Sequence, residues 1–295
     1  MREIVVISGK GGAGKTSLTA AFAALAQNKI VCDLDVDAPD LHILLAPHNS
    51  TVEDFYSGNL ATIDPEVCDG CGLCREVCRF EAIAVGPDGA YTVQPSHCEG
   101  CKACVVLCPR HAIAFPSRRC GYFALSDTRF GPMVHARLDP GGENSGRLVA
   151  LLKQKARELA ERDGQELILC DGAPGIACPV ISSLSGATLA VIVTEPTPSG
   201  THDFLRVADL CDHFRLPVAV VINKSDINAD EATRIEARCV EKGYALLGRL
   251  PYDPDFTRAM KAKQTLPEYG GPLAGEIARL WEAANALAIE RAGAK

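Results

Sequence analysis

Within the nine residues Ser8-Gly9-Lys10-Gly11-Gly12-Ala13-Gly14-Lys15-Thr16 stand three kinds of group that handle a polyphosphate. Glycines let the backbone approach an anion and accept positive φ, the Lys15 ammonium is a point charge for outer phosphates, and the Thr16 hydroxyl suits Mg²⁺. The spacing G-x-x-x-x-G-K-[ST] belongs to a loop whose N–H groups, with the N-terminus of the next helix, cradle phosphates. Candidate nucleotide contacts are therefore Gly9, Lys10, Gly11, Gly12, Ala13, Gly14, Lys15, Thr16 and Ser17.

A second chemistry lies in the cysteines, of which the chain has 14, eight of them between positions 68 and 108. CDGCGLCREVCRFEAIAV, from Cys68 to Val85, is repeated 30 residues later as CEGCKACVVLCPRHAIAF, from Cys98 to Phe115. Each copy holds C-x₂-C-x₂-C-x₃-C, the spacing of bacterial two-cluster ferredoxins, in which three cysteines hold one cubane and the fourth ligates the other. The expected ligand sets are crossed: Cys68, Cys71, Cys74 and Cys108 for one [4Fe–4S] cluster, and Cys98, Cys101, Cys104 and Cys78 for the second. Structural zinc is the competing chemistry for C-x₂-C pairs, although zinc sites do not need the duplicated rhythm. Pro109 follows the second motif and Arg79 the first, so a difference in local backbone is expected there. Cys32, Cys120, Cys170, Cys211 and Cys239 lack partner spacing and are taken as structural; Cys178 is taken first as a small buried apolar residue, with a thiol at a dimer interface as the alternative.

Acids complete the picture. Lys29 to Cys32 forms a strand that delivers Asp33-Leu34-Asp35-Val36-Asp37 at its carboxyl end, and Leu167 to Cys170 delivers Asp171 in the same way. Ligands bind outside the carboxyl ends of parallel strands, so these acids are expected to face the phosphate loop. Asp171 is a candidate for the Mg²⁺ shell beside Thr16, and Gly172-Ala173-Pro174-Gly175 for a loop that senses the outer phosphate. Asn223-Lys224-Ser225-Asp226 matches the N-K-x-D pattern of guanine readers, yet its Asn can equally bond an adenine edge; Pro251, Tyr252 and Asp253 are further candidates for the base pocket.

The elements that must position these groups follow from hydrophobic periodicity. Strand, glycine loop and helix run from Ile4 to Ala26; Ala38 to Leu45 predicts a short helix, after which periodicity fades toward Asp64-Pro65. Two strands flank Gly131-Pro132, and Glu143-Asn144-Ser145-Gly146 leads into an amphipathic helix carrying Leu148, Leu151, Leu152 and Leu159. Strands over 188–194 and 217–222 alternate with helices over 201–214 and 230–241, and a last amphipathic helix covers 273–289. The expected fold is α/β, a doubly wound, mostly parallel sheet at residues 1–61 and 118–295, with a small α+β insertion at 62–117. A composition of 47% apolar and 23% charged residues fits a soluble globular protein; a net charge of −7 speaks against nucleic-acid partners. The absence of a signal segment or long apolar run leads to the expectation of a cytoplasmic chain with no stable membrane attachment, and the small basic group Arg258, Lys261 and Lys263 to that of a solvated helix face.

Lys10, the additional lysine at the head of GKGGAGKT, makes this loop resemble the deviant phosphate loop (deviant Walker A) of the MinD/ParA/Mrp P-loop ATPases, and the insertion makes the chain similar to members that contain a ferredoxin domain. The resemblance covers nearly all of the chain outside 62–117. It implies ATP/ADP as nucleotide, Mg²⁺, and a homodimer in the ATP state, in which Lys10 reaches the phosphates held by the partner. It also implies that Asp35 orients the attacking water, with Asp33 behind the Mg²⁺. Catalysis would then rest on Lys10, Lys15, Asp35 and Asp171, in a slow, partner-stimulated ATPase. Asp40 stands where MinD has Asn. Three functions follow: ATP-dependent electron transfer to an unidentified redox or iron–sulfur partner protein, an iron–sulfur cluster carrier or assembly scaffold of the Mrp type, and a redox-sensing regulatory or positioning switch.

Overall fold

The structure, a computed structural model, describes residues 1–86, 89–142 and 145–293; the Glu143-Asn144 lead-in to the long helix lies outside them. In chain order the elements are β1 (Arg2–Ile7), α1 (Lys15–Leu25), β2 (Lys29–Asp33), α2 (Leu41–Leu45), β3 (His48–Asn59), β4 (Thr62–Ile63), α3 (Leu73–Glu76), β5 (Ile83–Val85), β6 (Tyr91–Val93), α4 (Ala103–Leu107), β7 (Ile113–Ala114), β8 (Ser117–Thr128) and β9 (Gly131–Leu138). They continue with α5 (Ser145–Asp163), β10 (Leu167–Asp171), α6 (Cys178–Leu184), β11 (Leu189–Thr194), α7 (Pro198–His213), β12 (Val218–Ile222), α8 (Ala229–Lys242), β13 (Ala245–Arg249), α9 (Asp255–Lys261), α10 (Leu266–Tyr269) and α11 (Ala274–Gly293).

Two compact units emerge: Met1–Glu53 with Phe123–Arg137 and Ser145–Lys295, and Asp54–Tyr122 with Leu138–Asn144. The chain passes from the first to the second within β3 and returns within β8.

The sheet order is β13-β12-β11-β1-β10-β2-β9-β8-β3. Strand β1 is parallel to β10 on one side and to β11 on the other, so the winding reverses at β1, where α/β sheets bind ligands. Ile4, Val5, Val6 and Ile7 are all fully buried, as expected of a parallel strand covered on both faces. Helix α1 buries Leu18 and Phe22 against that sheet, and Phe22 stacks on Trp281 of α11 at 5.3 Å between ring centroids. The terminal helix therefore spends its apolar face (Ile277, Leu280, Trp281, Ala284) on the core, and among the described residues no helix is long and apolar enough to cross a membrane.

Where periodicity fades, the structure has β3. Its pattern of mostly exposed, polar residues leaves no alternation to read, and sheet pairing rather than burial defines it. Helix α6, which begins with Cys178-Pro179, was not expected either, being seven residues long.

In the second unit the duplicated motif is a duplicated structure. Strands β4 and β7 pair antiparallel (Thr62 with Ala114, Ile63 with Ile113), as do β5 and β6 (Ile83 with Val93). Positive φ occurs at Gly70 and Gly100, at Gly72 and Lys102, and at Glu81 and His111, each pair 30 residues apart. The peptide N–H of Ala82 donates to Cys78 Sγ and that of Ala112 to Cys108 Sγ, both at 3.4 Å. Positive φ three residues after Cys78 and Cys108 is thus retained, although Arg79 replaces the proline seen at Pro109. A small core of Ala61, Cys74, Ile83 and Ile113 holds the repeats together.

Candidate functional site

At the carboxyl edge of the sheet, register alone assembles the first site. Asp171 is aligned with Val6 of β1 and with Asp33 of β2, so two carboxylates leave adjacent strands side by side next to the loop that follows β1. Gly14 ends that loop as the left-handed N-cap of α1 (φ 94°). A Cβ there would stand 2.4 Å from Asn223 Nδ2, so only glycine fits both conformation and space. The helix N-terminus, with Lys15 in its first turn, opens into a cleft of about 510 Å³ lined by Gly11, Gly12, Gly14, Lys15, Thr16 and Ser17, by Asp35, Asp37 and Asp40, and by Ala173 and Pro174.

Lys15 is 6% exposed and pairs with Asp171 Oδ1 at 3.0 Å and Asp35 Oδ2 at 3.4 Å. Burial opposes its charge, but Asp171, Asp35 and Asp33 outweigh that and raise its pKa. Asp171 is fully buried and also accepts hydrogen bonds from Thr16 Oγ1 at 2.7 Å and Thr19 Oγ1 at 2.9 Å. Asp33 accepts from the Asp35 N–H at 3.1 Å through Oδ1, whereas its buried Oδ2 has no hydrogen-bond partner among the described residues. Burial and the neighbouring Asp171 push the Asp33 carboxyl well above the usual carboxylate range. Burial likewise raises Asp35 against the opposing pull of Lys15. An orphaned acid oxygen beside a hydroxyl and a second acid is a donor set that fits a hard divalent cation such as Mg²⁺.

Lys10 points to the connection after β11. Its Nζ meets Glu195 Oε1 at 2.5 Å, Ser199 Oγ at 3.2 Å and Thr197 Oγ1 at 3.5 Å. The other oxygen of Glu195 accepts from Lys224 Nζ at 3.1 Å, and Lys224 also donates to the Gly12 carbonyl at 3.0 Å. Burial works to raise the Glu195 pKa, but its bonds to Lys10 and Lys224 prevail and hold it below the ordinary value.

The base candidates play a supporting part in this state. Asn223 Nδ2 donates to the Ala13 carbonyl at 2.9 Å, and Asp226 Oδ1 accepts from the Tyr252 N–H at 2.6 Å, tying the loop of Pro251, Tyr252 and Asp253 to the N-K-x-D segment. None of these six residues lines the cleft. Glu195, Thr19 and Met260, which lines the cleft, escaped sequence reading. The signal for Glu195 was available: like Asp171, it is an acid directly beyond a buried apolar strand.

Cys178 is a correction. It is exposed as the first residue of α6, whose buried positions are Pro179, Val180, Ser183 and Leu184; the reading as a small buried residue fails. Cys32, Cys120, Cys170, Cys211 and Cys239 are buried, as a structural role requires.

The second unit contains two cavities. One, of about 20 Å³, is lined by Cys68, Cys71, Cys74 and Cys108 together with Ile63, Leu73, Tyr91 and Ile113. The other, also of about 20 Å³, is lined by Cys78, Cys98, Cys101 and Cys104 together with Phe80, Ile83, Val93 and Phe115. Three cysteines of one repeat and the last cysteine of the other thus line each cavity. Among the described residues no three His, Cys, Asp or Glu side chains gather as ligands of a single metal ion.

Comparison with known proteins places the first site in context. The family model described as the CobQ/CobB/MinD/ParA nucleotide binding domain matches residues 4–266. The uncharacterized protein MJ0578 of Methanocaldococcus jannaschii is 30% identical over 283 residues, covering 95% of both chains. Among solved structures, the cell division ATPase MinD of Pyrococcus furiosus is similar with a TM-score of 0.58 at 17% identity, over 97% of this chain and 99% of that one. MinD of Pyrococcus horikoshii, complexed with Mg-ADP, gives 0.59 at 16% identity over 98% of each chain. The McdA(D38A)–ATP complex of Cyanothece gives 0.53 at 14% identity, over 97% of this chain and 96% of that one.

Proposed function

From the premise that this chain belongs to the CobQ/CobB/MinD/ParA nucleotide-binding family, we propose that it is a dimerising ATPase that couples ATP binding and hydrolysis to electron transfer through two [4Fe–4S] clusters. Residues 62–117 form the two-cluster domain in this reading, and 1–61 with 118–295 the ATPase domain. The observation that carries the redox half is the lining of the two cavities, which divides the eight cysteines into the crossed sets. Four cysteines line each cavity, one for each iron of a cubane, and the duplicated x₂, x₂, x₃ rhythm is one that zinc sites do not need.

In the ATPase half, the phosphate loop and the N-terminus of α1 hold the phosphates, with Lys15 turning from Asp35 and Asp171 toward them. Mg²⁺ would be held by Thr16 with Asp33 and Asp171, neutralising charge on the outer phosphates. Asp35 orients the attacking water, and Lys10 leaves Glu195 to reach the nucleotide of the second chain. The Mg-ADP and ATP complexes of the related folds support this choice of nucleotide.

Cys71 and Cys101 are exposed, which opens one side of each cavity and favours a second reading as a carrier that hands clusters on. One anaerobic preparation tests both. Two cubanes amount to about eight irons per chain, and Cys78→Ser is expected to lose one cluster and retain the other. With the clusters in place, ATP is expected to shift their midpoint potential. An unchanged potential and an unchanged electron-transfer rate remove the coupling; rapid transfer of iron to an apo-acceptor establishes the carrier.

A further inference from the structure

The duplication supplies its own control. Helices α3 and α4 occupy equivalent places, each carrying the third cysteine of its repeat, yet their outward faces differ in kind. On α3 the outward positions are Arg75 and Glu76, both exposed; at the equivalent places α4 has Val105, which packs on the core of the unit, and Val106. Val106 is 70% exposed and Leu107 47%, on a helix of five residues with no apolar cover. The rims differ as well. Residues 72–81 carry Arg75 and Arg79 against Glu76 and Glu81, a balance of zero. Residues 102–111 carry Lys102, Arg110 and His111 and no acid, in a chain whose net charge is −7. All three of those basic side chains are exposed, and Arg110 has only a distant partner, Asp69 at 4.0 Å.

We propose that the α4 face of the second repeat is the docking surface for a one-electron carrier protein whose own contact face has an apolar centre ringed by carboxylates. The inference rests on the two-cluster reading and assigns direction to it. Cys104 lies in α4, and Lys102 and the exposed Cys101 line the same cavity as Cys104, so electrons enter at the cavity of Cys78, Cys98, Cys101 and Cys104. One electron would leave the carrier, which is oxidised by one equivalent, and a [4Fe–4S] cluster held by Cys78, Cys98, Cys101 and Cys104 would supply the one-electron acceptor; no bond or proton changes place. An exposed apolar centre flanked by Lys102, Arg110 and His111, with Glu99 on the cavity wall and Asp69 at 4.0 Å from Arg110 as the acids nearby, leaves a basic excess of the kind found at a transient interface, in which rim charge sets the encounter rate and the centre sets residence.

The test uses the full, cluster-loaded chain with an acidic plant-type ferredoxin as probe, a basic c-type cytochrome as counter-probe, and dithionite as a small reductant that needs no docking. Binding of oxidised ferredoxin is measured by calorimetry and reduction by stopped flow. Val106→Glu, which copies Glu76 of the first repeat, is expected to weaken ferredoxin binding and slow its electron transfer by about tenfold, with the dithionite rate unchanged. Glu76→Val is expected to leave both alone, and the ferredoxin rate of the parent protein should fall as salt rises. Equal rates for parent and Val106→Glu, tighter binding of the cytochrome than of ferredoxin, or dissociation of a dimer by Val106→Glu would each overturn the proposal. If the chain instead proves free of iron while ferredoxin still binds at Val106, the cluster reading fails and the docking face stands.

Discussion

The contact between Lys10 and Glu195 gives a measurable forecast for assembly. In the single chain the Lys10 ammonium is engaged by a carboxylate whose side chain is 12% exposed, while its own is 30% exposed. If Lys10 serves the nucleotide of a second chain, each closure of the pair breaks two such contacts. Glu195→Gln keeps the shape and replaces a charge-assisted bond by a neutral one about half as strong. That difference is about 1 kcal/mol per contact after allowance for the water at Lys10, or ~2 kcal/mol for the two. Since 1.4 kcal/mol is tenfold in an equilibrium constant, ATP-driven dimerisation should tighten by roughly thirtyfold. Sedimentation with a non-hydrolysable ATP analogue reads the constant directly. Nucleotide binding by the single chain should barely change, because Lys224 keeps its bond to the Gly12 carbonyl. A dimerisation constant equal to that of the parent chain refutes the latch; a Lys10→Ala protein that dimerises normally refutes the premise beneath it.

Two further outcomes concern stability. Thr19 is fully buried and its hydroxyl lies 2.9 Å from both Asp171 Oδ1 and the Lys15 carbonyl, so the near-isosteric Thr19→Val should cost about 1.5–3 kcal/mol in denaturant unfolding of the nucleotide-free chain, and no loss would mean that its proton serves the Lys15 carbonyl while Thr16 and Lys15 satisfy Asp171. Burial lowers the Lys29 pKa to about 8, and its Nζ donates to the Ala26 carbonyl at 2.8 Å. Below pH 8 the lysine is charged in both states and the folded chain bears the whole penalty. Between 8 and 10.5 only the unfolded chain keeps the proton, so this residue contributes a rise in stability with pH of up to about 3 kcal/mol. Lys29→Met should abolish that rise, and an unchanged slope would show that Lys29 is hydrated.

Much of the first site was legible because parallel strands buried on both faces are continuous apolar runs, and the acid ending each run marks the ligand edge; Asp33 and Asp171 were found in this way. Glu195 lies just past the strand over 188–194 and outside any motif, and its partners Lys10 and Lys224 are distant in sequence; Thr197 beyond it caps α7 by accepting from the Gly200 N–H. Strand β3 left no trace in its side chains, since most of its residues face water. The partners of Asn223 and Asp226 lie far off in sequence, at Ala13 and Tyr252, and no pattern within the N-K-x-D segment names them. Cys178 misled because cysteine is commonly buried, and its exposure depends on where α6 begins.

The exchange of the fourth cysteine between repeats makes the two cavities an interlock. Cys78 and Cys108 each end a repeat whose other cysteines line the opposite cavity. Whatever fills one cavity also fixes a backbone segment bordering the other. Deleting either repeat would then remove a wall from the cavity that remained. The two copies can therefore differ at their surfaces, as α3 and α4 do, while each supplies a wall that the other's cavity needs.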